Sequence, residues 1–104
     1  MENKAFYEKK ASILKALAHP IRLWIVDELE NGEKCVCEFV NATNLDFSTI
    51  SKHLLVLKNA GIISDDKRGK QVFYKLKFCC VSNFSRCLAA LLKEQTTEQI
   101  KIME

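Results

Sequence analysis

The strongest constraint on this chain is a change of hydrophobic period. As far as Gly61 the apolar residues recur at three- and four-residue intervals. Val72, Tyr74 and Leu76 then alternate with Phe73, Lys75 and Lys77, and from about Val81 the helical interval returns with Phe84, Leu88, Leu91 and Leu92. The first spacing places side chains on one stripe of a helix and the second places them on one face of a strand, so the chain is read as helices interrupted by one β-hairpin. Asp65-Asp66-Lys67-Arg68-Gly69 supplies the hairpin's charged tip.

Local signals divide the helical part. Phe6, Ile13, Leu14 and Leu17 mark a helix over about residues 3–18. Pro20 lacks the N–H needed to continue that helix but suits the first turn of a new one, which predicts a break near His19. The second helix carries Ile21, Trp24, Ile25 and Leu29 and stops at Asn31-Gly32. Glu33 to Ala42 reads as a short helix, with Val36 packed inward. Asp46 is a good N-cap for a fourth helix, in which Ile50, Leu54 and Leu57 share a face before Ala60-Gly61 ends it. The expected order is helix, helix, short helix, helix, hairpin, helix. That order describes one winged helix-turn-helix domain, mainly α with a β-hairpin wing: helix-turn-helix about 35–60, wing about 62–77.

The 104 residues suffice for one small core, and a 48% apolar content with three Gly and one Pro argues for an ordered globule. No stretch approaches a membrane span, and the first residues lack a signal peptide's apolar run, so a cytoplasmic location is expected. A Gly-rich phosphate loop, a paired-carboxylate cleft and a Cys/His/Asp arrangement are all lacking, which argues against an enzyme. The net charge of +3 is mild, so its distribution matters more than its sum.

That distribution favours duplex DNA. Ser48, Thr49, Ser51, Lys52 and His53 occupy the N-terminal half of the fourth helix, where small hydroxyls and cations can reach phosphates and base edges while Ile50 and Leu54 face inward. Lys67, Arg68 and Lys70 on the wing add positive charge beside it. Taken alone, such wing charges are as readily explained as a solvated turn; behind a reading helix they favour DNA contact. His53 has two readings, a phosphate contact or packing between helix and wing.

The residues 17–23 (LAHPIRL), 35–39 (CVCEF), 48–54 (STISKHL) with Leu57, 60–63 (AGII) and 69–74 (GKQVFY) together resemble the ArsR/SmtB metal-responsive repressors over nearly the whole chain. The resemblance implies a homodimer built from the first and last helices (about 3–18 and 81–95), binding of double-stranded operator DNA without ligand, and derepression by an ion. It also implies that Cys35 and Cys37 stand where arsenic- and cadmium-type members hold that ion. Three departures stand out. Phe47 replaces a common Gln, Val40 stands where some arsenic sensors have a third Cys, and the Asp and His pairs of zinc-type sites are absent from the last helix.

Five cysteines in an unsecreted chain suggest ligands or sensors rather than a disulfide framework. Thiolates favour soft ions, so the expected inducer is As(III) or Sb(III), with Cd(II) and Pb(II) as alternatives, and no resident cofactor is required. At a helix start the exposed N–H groups and Lys34 favour the thiolates of Cys35 and Cys37. Within one regular helix, however, side chains two residues apart diverge by about 200°. Ion capture is therefore expected to unwind the first turn of the short helix, making inducer and operator compete. The bland alternative, two small core cysteines, fits a charged helix start less well. Cys79, Cys80 and Cys87 are weaker candidates for a second thiol site. Cys80 and Cys87 stand about 10 Å apart along a helix, and core packing accounts for Cys87. Two other functions remain open on the same fold: a redox- or persulfide-sensing repressor, and a protein-interaction module without DNA binding.

Overall fold

The computed structural model describes residues 1–103, with side chains through residue 95. Five helices and three strands follow in the order α1 (Lys4–Leu17), α2 (Pro20–Leu29), β1 (Lys34–Cys35), α3 (Val36–Thr43), α4 (Phe47–Asn59), β2 (Ile63–Arg68), β3 (Gln71–Leu76) and α5 (Cys80–Met103). The hairpin β2–β3 is joined by β1 into an antiparallel sheet of order β1-β3-β2. Helices α3 and α4 fall within residues 36–59 and the hairpin within residues 63–76.

Each junction has a local cause. His19 caps α2, its Nδ1 accepting from the Ile21 N–H at 3.1 Å, with Pro20 in the first turn. Asn44 takes the left-handed conformation at φ 61° and ends α3. Thr43 ties the turn, its hydroxyl donating to the Phe39 carbonyl and accepting from the Leu45 N–H. Asp46 then caps α4 by accepting from the Thr49 N–H at 2.9 Å. Hydrogen bonding from the Thr49 side chain and from its N–H holds the Asp46 carboxyl below its usual range. Gly61, at φ 79°, lets the chain leave α4 for β2, with the Ile62 N–H closing on the Leu57 carbonyl.

The core lies where α2, α3, α4 and the base of the wing meet. Ile25, Val26, Phe39, Ile50, Leu54, Leu57 and Ile63 are buried, and Trp24 stacks edge-on against Phe39 at 5.7 Å between centroids. Of the apolar residues marking the first helix, only Leu17 is buried; Phe6, Ile13 and Leu14 are exposed, as are Phe84, Leu88, Leu91 and Leu92 on α5. Cys87 is exposed too, so it is not the core residue expected from the sequence. The helix α5 runs on to Met103, past the bound of about residue 95 given for the last helix. Among the described residues, no helix is long and apolar enough to cross a membrane.

The stretch from Glu33 to Ala42 departs from expectation at its start. Lys34 and Cys35 are extended and pair with Tyr74 and Phe73 of β3, and helix begins only at Val36. A partner strand from the wing, about forty residues away in sequence, supplies hydrogen bonds that a two-residue strand has no local pattern to announce.

Candidate nucleic-acid interface and thiol site

The N-terminal half of α4 is held out from the body by its buried face. With Ile50 and Leu54 fully buried, Ser48 and Lys52, four residues apart, emerge together on the exposed side, while Thr49 and Ser51 are half-buried beside them. Phe47, the first residue of the helix, is 63% exposed, an unusual placement for an apolar ring.

The wing's charges sort into committed and free. Arg68 donates to both carboxylate oxygens of Glu33, at 2.6 and 3.0 Å, and to Asp66 at 2.9 Å, while its guanidinium lies over the Phe73 ring. These bonds lower the Glu33 carboxyl below its usual range. Lys58 of α4 binds Asp65 at 2.8 Å, which raises the lysine. Both wing acids are thus neutralised internally. Arg68, a candidate DNA contact at the tip, also clamps the wing to the loop before β1. Lys67 and Lys70 are exposed and carry no ion pair among the described residues, so they are the free cations of the tip.

His53 packs on the junction between α1 and α2. Its half-buried ring stacks on His19, the cap of α2, at 4.3 Å between centroids. Burial pushes its pKa down, and the charges of His19 and Arg22 push the same way. Neutral at neutral pH, it is a poor phosphate cation, and its contacts join the reading helix to the α1–α2 junction.

The thiol site has a geometry that helix periodicity does not anticipate. Cys35 is the N-cap of α3 with extended dihedrals (φ −87°, ψ 164°), whereas Cys37 belongs to the first helical turn. The extended cap turns the two side chains toward each other, and Cys35 and Cys37 form a disulfide with a Cα–Cα separation of 5.4 Å. The helix stays intact, its first turn tied by the Cys35 N–H donating to Glu38 Oε2 at 2.8 Å. The expected conflict between sulfur convergence and an unbroken helix is therefore absent: only one of the two residues is helical. As joined, neither sulfur is a thiolate, so ion capture requires reduction first.

Cys79, Cys80 and Cys87 are free and exposed. Cys79 lines a cleft of about 530 Å³ between α2, β3 and α5, while Cys80 faces a separate groove with Ile13, Ile62 and Phe78. The adjacent pair thus opens onto two different surfaces. Among the described residues, no three His, Cys, Asp or Glu side chains converge as a metal site.

A short reading helix, the preceding helix at its back and a charged hairpin at its side define a winged helix-turn-helix domain, the architecture of DNA-binding regulators. Residues 19–65 match the bacterial regulatory protein, arsR family. The HTH-type transcriptional repressor SmtB of Mycobacterium tuberculosis is 39% identical over 64 residues, which span 62% of this chain and 47% of that protein. This chain therefore spans about half of SmtB's length. An uncharacterized HTH-type transcriptional regulator of Methanocaldococcus jannaschii is 46% identical over 69 residues, covering 65% of this chain and 78% of its own. A homodimeric winged helix-turn-helix DNA-binding domain from Mycobacterium bovis, described as a possible ArsR-family regulator, superimposes with a TM-score of 0.78 at 28% identity, covering 90% of this chain and 88% of its own. The chain belongs to the ArsR/SmtB family of transcriptional regulators. These relatives are regulators rather than enzymes.

Two functional features escaped the sequence reading. The Glu33–Arg68 clamp joins residues 35 apart, and neither has a neighbour that marks the pairing. Strand β1 was hidden inside a segment whose composition suits a helix. Val36, between the two cysteines, did carry a usable signal: with Val36 and Phe39 inward, a helix beginning at Val36 is sufficient.

Proposed function

We propose that this chain is a transcriptional repressor. It binds operator DNA as a homodimer and leaves it when reduced Cys35 and Cys37 chelate a soft metalloid ion, As(III) or Sb(III). The observation carrying this reading is the convergence of both sulfurs at the start of α3, on a residue that also pairs with the wing.

The dimer is assigned to α1 and α5. Phe6, Ile13 and Leu14 on one helix and Phe84, Leu88, Leu91 and Leu92 on the other leave apolar surface that a partner copy would bury. A two-fold dimer presents two α4 helices to successive major grooves, with Ser48 and Lys52 at the bases or phosphates and Lys67 and Lys70 on the flanking backbone. The domain so read comprises residues 1–104 as one unit.

Ion capture acts through β1. Reduction leaves the two sulfurs unjoined, and an ion held by both thiolates at roughly 2.3 Å each draws them to within about 4 Å of each other. Cys37 is fixed in α3, between the core residues Val36 and Phe39, so the displacement falls on Cys35. Cys35 is paired with Phe73 of β3, and Glu33 holds Arg68. Moving β1 thus moves the wing relative to α4, and the two elements no longer match one DNA surface. No unwinding of α3 is needed.

The bond between the sulfurs favours a second reading, in which oxidation of the Cys35–Cys37 dithiol is itself the signal. One experiment separates the two. Fluorescence anisotropy is followed on a labelled fragment of the chain's own promoter, with reduced protein challenged in turn by As(III), Cd(II) and a thiol oxidant. Release by As(III), abolished in Cys35→Ser and Cys37→Ser, is the expected result. Release by oxidant alone, reversed by a reductant, selects the second reading. Unchanged release of both variants by As(III) refutes a role for this pair.

A further inference from the structure

Phe47 opens α4 directly after the capping Asp46, and its ring is 63% exposed. In a helix-turn-helix, the N-terminal residues of the reading helix are the ones that meet base edges in the major groove. Among the described residues 47–53, Phe47 is the one large apolar side chain left exposed; Ile50 is fully buried, and the rest are Ser48, Thr49, Ser51, Lys52 and His53. We propose that Phe47 determines part of the operator specificity by reading the C5-methyl group of a thymine in each half-site. The inference rests on α4 being the helix that reads DNA.

The chemistry of base edges leaves such a ring little choice. In the major groove guanine, adenine and cytosine present hydrogen-bond donors and acceptors, whereas thymine alone adds an apolar methyl group. A phenyl ring has no donor or acceptor to offer. Against a polar edge it would strip away water and replace none of its hydrogen bonds, which is a net cost. Against a methyl group both apolar surfaces leave water together, which is a gain. One turn further along α4, Ser51 is too small to shield the ring from an approaching base.

The surroundings flank the ring without covering it. Phe47 borders a small cavity shared with Val36 at the start of α3 and with Lys70, Gln71 and Val72 of the wing. Lys70 and Gln71 are exposed on that rim, and their polar ends suit the phosphates flanking a groove rather than a methyl group within it. The exposed rings of Phe6 and Phe84 belong to α1 and α5, the helices assigned to the dimer, so a partner copy has other apolar surface to cover. Two-fold symmetry repeats the Phe47 contact in the second half-site, which places two thymine methyls against each dimer.

The test compares two duplexes of the chain's own promoter fragment, one with thymidine throughout and one with deoxyuridine in every thymidine position, which removes only the C5-methyl groups. Full-length reduced protein, wild type and Phe47→Ser, is titrated against both by fluorescence anisotropy at one salt concentration. Uracil substitution can weaken binding at other positions too, but that part is common to both proteins and cancels in the comparison. The uracil penalty of wild type is expected to exceed that of Phe47→Ser by about fifteenfold, a factor of roughly four for each of two buried methyls. Equal penalties, or none in wild type, overturn the methyl contact while leaving DNA binding by α4 standing. Failure of wild type to bind the thymidine duplex with a salt-dependent affinity sinks the operator reading itself. Should circular dichroism show the serine variant unfolded, Phe47→Gln, which also lacks the apolar ring, carries the same comparison with the same expected and overturning results.

Discussion

Leu54 and Leu55 are adjacent in α4, and the structure assigns them opposite fates: Leu54 is fully buried and Leu55 is 53% exposed. Truncating each to alanine tests the rotation of the reading helix about its axis, on which the exposure of Ser48 and Lys52 depends. Leu54→Ala removes a side chain packed among Ile25, Ile50 and Leu57 in a continuous core, and such a cavity costs about 2–5 kcal/mol. Leu55→Ala removes a side chain about half of which is already in water and should cost roughly 0.5 kcal/mol. Urea denaturation at one protein concentration measures both, the fixed concentration keeping any dimerisation term common to the two. The expected difference exceeds about 1.5 kcal/mol, with Leu54→Ala the weaker protein. Equal costs, or the reverse order, would mean that α4 is turned by about 100° from this description. Ser48 and Lys52 would then not form the outward face, and the proposed DNA interface would fall with them.

Lys67→Ala and Lys70→Ala should each reduce the salt dependence of duplex binding by about one unit of slope, whereas Arg68→Ala, whose charge is already spent on Glu33 and Asp66, should change the slope less; anisotropy titrations across a salt series decide it. The lowered pKa of His53 predicts a stability that depends on pH. Between its folded value and its unfolded value near 6.5, the unfolded chain binds more protons, so stability is present above pH 6.5 and is lost as pH falls through the folded pKa. Thermal denaturation from pH 8 to about pH 5 should therefore show a steeper acid loss for wild type than for His53→Gln, and parallel curves would contradict the assignment. Glu33→Gln should weaken the clamp on Arg68 and, if β1 and the wing move together, alter operator affinity without touching any DNA-facing residue; unchanged affinity would show that the clamp carries no signal.

Much of the architecture was legible before any coordinates, because its signals are local. Pro20 after His19, Asp46 before a periodic run and Gly61 after one each act through a neighbouring backbone group, and the change from helical to alternating spacing at the wing needs no distant partner to be read. The buried face of α4 followed directly from the spacing of Ile50, Leu54 and Leu57. Contacts between side chains remote in sequence were not legible. Nothing near Arg68 in sequence announces its bonds to Glu33, and nothing near His53 announces that its ring lies against His19. Cys87 sits at a spacing that suits the core, yet it is exposed, since spacing alone does not say which faces of a helix are covered.

The chain's own order of residues determined that there are helices, where they stop, that one hairpin interrupts them, and which residue types could meet DNA or soft ions. Tertiary structure decided what the cysteines can do. Pairing with β3 draws Lys34 and Cys35 out of the helix and into a strand, and this extended cap is what lets two sulfurs, one residue removed from each other, meet beside an intact α3. The reason is physical: backbone conformation at a helix end is set by whichever hydrogen-bond partner is available, and here that partner arrives from the far side of the fold.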